Sequence, residues 1–216
     1  MIADRETLDR HGVAVGAFAR EMAEAGVRLV QYRDKRNGPQ EVLRAAEEIA
    51  EAFAGTDAVL VMNDRADLAR LMGWGVHVGQ GDLLPEDARM VVGDAVVGVS
   101  THTEEQVVAA DPALAAFHSG SENPDPGHPE FVGYVAVGPV FATATKLDAE
   151  AVVGLEGVRW ARALTRRPLV AIGGITVGNS ASVIEAGADA VAVIGGMFAE
   201  GKSVGDVARE FLRVLG

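Results

Sequence analysis

Short, valine-rich apolar runs punctuate this chain at Arg28–Tyr32, Ala58–Met62, Gly75–Val78, Ala95–Val99, Val132–Val137, Leu169–Ile172 and Ala190–Ile194. Runs this short and continuous suit strands covered on both faces, as in a parallel sheet. Segments with helical spacing lie between them. Val42, Leu43, Ala46, Ile49, Ala50 and Phe53 make one apolar stripe; Val158, Ala161 and Leu164 make another. A third, Val204, Val207, Ala208, Phe211, Leu212 and Leu215, ends the chain. Thr103 before Glu104, Glu105 and Gln106 predicts a capped helix start, with acids where the helix dipole favours them.

Strand and helix therefore alternate from end to end, which predicts an α/β fold with right-handed crossovers. Counting Met1–Ala3 as a shortened first strand gives eight units in 216 residues, the pattern of a single (β/α)8 TIM barrel over 1–216. An open doubly wound sheet would want fewer strands and an early glycine fingerprint, and no GxGxxG follows the first strand. Ser119–Glu130 carries three prolines and two glycines and reads as an exposed loop.

Composition narrows the function classes. With 19 basic and 31 acidic residues the net charge is −12, which argues against nucleic acid or an anionic membrane as partner. There is no cysteine, hence no disulfide, thiolate metal site or cysteine nucleophile. No apolar run reaches membrane-spanning length, and the first residues lack a signal-peptide core, so a soluble, cytoplasmic protein is expected. A homo-oligomer is compatible with the sequence.

Candidate chemistry collects where the apolar runs stop. Gln31, Arg33 and Lys35 follow one run, Asn63 and Asp64 the next, then His77, Gln80 and Asp82, then Ser100, Thr101 and His102, then Thr143, Thr145 and Lys146. In a parallel barrel these ends share one rim, where such folds place their sites. Strand ends are also polar simply because they meet solvent. Five successive ends with complementary groups weaken that simpler account. Only three lysines occur, and Lys35 and Lys146 both sit at these ends; with Arg33 they could neutralise a pyrophosphate. Lys202 and Arg36 read as solvated surface charge. Asp64 and Asp82 could hold Mg²⁺, which takes one or two carboxylates and completes its shell from phosphate oxygens and water; a pair of loop aspartates could equally be helix caps. His77 and His102 lack a third ligand for zinc. The last two runs end in glycine, at Ile172-Gly173-Gly174 and Ile194-Gly195-Gly196, where exposed backbone amides suit a phosphate.

The segments VQYRDK (Val30 to Lys35), VMNDRADLA (Val61 to Ala69), GVHVGQGDL (Gly75 to Leu83), GVSTHT (Gly98 to Thr103), VGPVFATATK (Val137 to Lys146), AIGGI (Ala171 to Ile175) and GADAVAVIGGM (Gly187 to Met197) together resemble the thiamine phosphate synthase family. The resemblance runs in register over nearly the whole chain. It implies a barrel transferase that joins a pyrimidine diphosphate to a thiazole phosphate and releases pyrophosphate with Mg²⁺. It further implies Arg33, Lys35, Asn63, Ser100 and Lys146 at the pyrophosphate, and Asp64 and Asp82 at the metal. Gln31 and His77 would adjoin the aminopyrimidine, Thr143 and Thr145 the space between substrates, and Gly174, Ile194 and Gly195 the thiazole phosphate. Arg33, Lys35, Ser100 and Lys146 would act on the chemical step.

The chain departs from the family pattern at Tyr32 and Asp34, where leucine and glutamate are usual. It also departs at Ala142, where proline is common, and at Gly195-Gly196, where serine and alanine are typical. A thiazole tautomerase-like paralogue would not need the Arg33, Lys35, Asp64 and Asp82 set. A silent phosphate-binding or regulatory barrel would release no pyrophosphate.

Overall fold

The computed structural model describes residues 1–111, 132–143 and 151–216. Eight parallel strands run in sequence order: β1 (Ile2–Asp4), β2 (Leu29–Arg33), β3 (Val59–Asn63), β4 (Gly75–Val78), β5 (Val97–Thr101), β6 (Tyr134–Val137), β7 (Leu169–Ile172) and β8 (Ala190–Ala192). The Ile2 amide donates to the Val193 carbonyl at 3.0 Å, bringing the first and last strands together in a nearly closed barrel. The expected (β/α)8 architecture is present, with β1 three residues long. The Ser119–Glu130 loop falls outside the described residues.

The described helices lie between the strands and after the last of them. They are α1 (Arg5–Arg10), α2 (Val15–Ala25), α3 (Pro39–Ala52), α4 (Ala66–Met72), α5 (Pro85–Val92), α6 (Glu104–Ala110), α7 (Gly154–Leu164), α8 (Val177–Glu185) and α9 (Val204–Leu215). Their starts follow local chemistry. Pro39 opens α3 at a position where its missing N–H costs nothing. Thr103 accepts from the Gln106 amide at the head of α6, as the sequence predicts. Ser203 does the same for Asp206 at α9.

The longer helices turn their apolar stripes to the sheet. Val42, Ala46 and Ile49 of α3 and Val204, Val207, Ala208 and Phe211 of α9 are buried. The stripe of α9 runs to its predicted end at Leu215, which packs on the core, but Leu212 falls off it: it is 36% exposed, pointing away from the face that carries Phe211 and Ala208.

The strands alternate strictly. Val30, Tyr32, Met62, Val76, Val78, Val135 and Val137 face the helices and form the core between sheet and helix layer. Their neighbours Gln31, Arg33, Asn63, His77, Tyr134 and Ala136 face the barrel interior. Polar residues embedded in apolar runs are thereby delivered to one enclosed space.

Candidate active site

The interior opens at the C-terminal ends of the strands into a cavity of about 450 Å³. Strand register sets its neighbours: Asn63 pairs with His77, and His77 with Gly98, two residues before Ser100. Gln31, Arg33, Asn63, His77 and Ser100 line one side, and Gly173, Gly174, Ile194, Gly195 and Gly196 line another, with Thr143 between. The sequence-predicted residues Thr145 and Lys146 lie outside the described residues.

A polar network crosses the floor. His77, 7% exposed, has Nδ1 2.9 Å from the Tyr134 hydroxyl and Nε2 2.8 Å from the Ser100 hydroxyl. Gln31 bonds the same Tyr134 hydroxyl. Burial pushes the Tyr134 phenol well above its usual pKa, so it stays a neutral donor. Gly98 makes room for it: a Cβ there would fall 2.0 Å from the Tyr134 ring. The side of the cavity predicted to meet an aminopyrimidine is thus a hydrogen-bonded chain of Gln31, Tyr134, His77 and Ser100. Tyr134 was not singled out by sequence, since it sits inside an apolar run.

Charge gathers at the rim beside this network. Arg33 Nη1 lies 2.5 Å from Asp4, and Lys35 Nζ lies 3.0 Å from Asp64. Asp64 in turn hydrogen-bonds Asp82. Asp64 sits at φ 61°, a left-handed region that aspartate tolerates better than most residues; there its amide donates to the His77 carbonyl at 2.8 Å. Desolvation and the facing Asp82 raise the Asp64 pKa, against the pull of Lys35. Asp82, though partly desolvated, is held below its ordinary value by hydrogen bonds from Asp64 and the Gly79 amide and by the nearby charge of Lys35. Two carboxylates pressed together share a proton, and a divalent cation would replace it. Among the described residues no group of three or more acidic or histidine side chains forms a cage. Two carboxylates suit Mg²⁺ where substrate oxygens complete the shell.

The opposite wall is backbone. Gly173 and Gly174 hold φ of 101° and 63°, and a Cβ on Gly174 would meet the Ala142 carbonyl at 2.6 Å. Asn179 ties this turn down, accepting from the Thr176 amide at 2.8 Å and donating to the Gly174 carbonyl at 3.1 Å. Across from it a single 3₁₀ turn, Gly195–Met197, presents the first amides of a helical turn, groups without partners inside the turn. His102, left without a role by the sequence, donates from Nδ1 to the Gly138 carbonyl, which turns Nε2 into an acceptor when the ring is neutral.

The family model of thiamine monophosphate synthase matches residues 2–197. The thiamine-phosphate synthase of Koribacter versatilis is 46% identical over 200 residues, covering 92% of this chain and 85% of that protein. The thiamine-phosphate synthase of Chloroflexus aurantiacus is 37% identical over 193 residues, covering 87% and 82%. Among solved structures, thiamine phosphate pyrophosphorylase from Pyrococcus furiosus superposes with a TM-score of 0.75 at 28% identity, over 93% of this chain and 88% of that one.

Proposed function

The chain belongs to the thiamine monophosphate synthase family, and from that premise we propose how its cavity makes thiamine phosphate. The reaction joins a pyrimidine carrying a diphosphooxymethyl group to a thiazole phosphate and releases pyrophosphate. One observation carries the assignment of sites: a single cavity has a hydrogen-bonding side that includes Arg33, Asn63, His77 and Ser100, and a separate glycine-backbone side. Two anionic substrates can therefore sit face to face with their reacting atoms between them.

Arg33, Lys35, Asn63, Ser100 and Lys146 would hold the pyrophosphate, whose negative charge grows as the C–O bond lengthens. Fixed donors aimed at developing charge lower that barrier. Gln31 and His77 would hold the aminopyrimidine, whose ring spreads the positive charge left on the methylene carbon. Thr143 and Thr145 would line the gap through which the thiazole nitrogen reaches that carbon. Gly174, Ile194 and Gly195 would bind the thiazole phosphate by backbone amides. Asp64 and Asp82 would hold Mg²⁺, which when bound supplies further neutralisation of the departing pyrophosphate. No protein nucleophile is needed, in keeping with the lack of cysteine in the chain.

The test is to incubate the purified protein with both substrates and Mg²⁺, following thiamine phosphate and pyrophosphate together. Equal amounts of both products support the reading. Pyrophosphate without thiamine phosphate, or neither product, refutes it.

A further inference from the structure

Asp4 ends β1 and is 3% exposed, so its carboxylate has to be accounted for by partners rather than solvent. One oxygen, Oδ1, accepts from the Thr7 amide at 2.9 Å and the Thr7 hydroxyl at 2.6 Å, capping α1. The other, Oδ2, lies 2.5 Å from Arg33 Nη1. A cap needs only the first oxygen, and serine or asparagine caps as well as aspartate. The charge is explained by Arg33, its register partner on the neighbouring strand.

We propose that Asp4 is a positioning residue that fixes the plane of the Arg33 guanidinium in the cavity. Held at Nη1 by a buried carboxylate, the planar fork is restrained from swinging to solvent, and its other donors remain available to the anion. Thr7 makes the grip rigid by holding the same carboxylate from below. Because the ion pair is neutral as a whole, Asp4 does not strengthen long-range attraction; its effect is on geometry, and it acts only through Arg33.

This inference rests on the reading of Arg33 as a pyrophosphate ligand, and a double-mutant cycle separates the two. The Kd of inorganic pyrophosphate is measured by calorimetry in Mg²⁺ buffer for the parent, Asp4→Asn, Arg33→Ala and the double variant. Asp4→Asn is expected to weaken binding about 10-fold, within the usual range of coupling between contacting groups. In the Arg33→Ala background the same change is expected to alter Kd less than about 2-fold. Asp4→Ser, which can still cap α1 but is too short to reach Arg33, serves if the asparagine variant folds poorly.

Steady-state kinetics should agree, with Asp4→Asn raising KM for the pyrimidine diphosphate and leaving KM for the thiazole phosphate unchanged. Thr7→Ala, which keeps the backbone amide on Asp4 but loses the hydroxyl, should lower Tm and show the same split to a smaller extent. Equal loss from Asp4→Asn in both backgrounds, or no loss in either, overturns the proposal. If Arg33→Ala itself leaves Kd unchanged, the reading of Arg33 falls first and the proposal with it.

Discussion

Lys35 Nζ stands 3.0 Å from Asp64, which at the same time hydrogen-bonds Asp82. One ammonium thus faces two carboxylates that share a proton, whose place a divalent cation would take. Asp64, with its pKa raised, binds a proton more tightly folded than unfolded. Its contribution to stability therefore falls as pH rises from the ordinary carboxylate value through the raised one. Asp82 has the opposite sign: its contribution is present above the ordinary value and is lost as pH falls through the depressed one.

Asp64→Asn removes the charge that burial and Asp82 oppose, and asparagine tolerates the left-handed backbone at this position. Its Tm in chelator at neutral pH should equal or exceed that of the parent, while the Mg²⁺ concentration for half-maximal activity rises about 10-fold or more. Asp82→Asn should raise the Mg²⁺ requirement as well. Melting curves in chelator and Mg²⁺ titrations of activity check both. A Mg²⁺ requirement unchanged in both variants would remove these residues from the metal.

The buried Tyr134 hydroxyl joins Gln31 to His77. Tyr134→Phe leaves both without that partner, a loss of about 1–3 kcal/mol. The pyrimidine diphosphate KM should rise several-fold while the thiazole phosphate KM stays put. Gly98→Ala would push its methyl into the Tyr134 ring and should show the same kinetic pattern with a larger drop in Tm. If the thiazole phosphate KM moves instead, the pyrimidine does not lie on this network.

Tyr32 and Asp34 show how far the sequence could be read. Each stood out as a departure from the family pattern, but nothing in a linear sequence says they are partners. In the structure the Tyr32 hydroxyl donates to Asp34 at 3.0 Å, and Asp34 also accepts from the Arg36 and Asn37 amides, each at 3.0 Å. Together they set the turn that carries Lys35. The strand ends were legible because an apolar run that stops at a polar residue marks the rim of a barrel. The Asp4–Arg33 pair was not, because it spans 29 residues and depends on the register between two strands. Helix α1 was hidden too: six residues are too few for a periodic stripe, and its start depends on the Asp4 cap.

That turn gives a pH prediction. Despite partial desolvation, Asp34 has its pKa lowered by backbone hydrogen bonds from Arg36 and Asn37 and by side-chain bonds from Asn37 and Tyr32. Its stabilisation is present above the ordinary carboxylate value and disappears as pH falls through the depressed one. Asp34→Ala should therefore lower Tm by several degrees at neutral pH, with the gap closing in acid. A gap independent of pH would show that the carboxylate charge does not hold the turn.

The two anion sites should respond differently to mutation. Pyrophosphate gains charge as the C–O bond breaks, so Lys146, placed there by family resemblance, would act on the chemical step. Lys146→Ala should lower kcat by about 10²-fold or more, the scale for losing one group that stabilises developing charge. The thiazole phosphate keeps its charge throughout, so contacts to it contribute mainly to binding. Gly195→Val should then raise the thiazole phosphate KM more than it lowers kcat. Gly174→Ala, whose methyl would meet the Ala142 carbonyl, should raise the same KM and also lower Tm. Steady-state kinetics of the three variants, with each substrate varied in turn, decides the matter. A Lys146→Ala enzyme altered only in the thiazole phosphate KM, or a Gly195→Val enzyme with that KM unchanged, would mean that the two anions occupy the opposite walls.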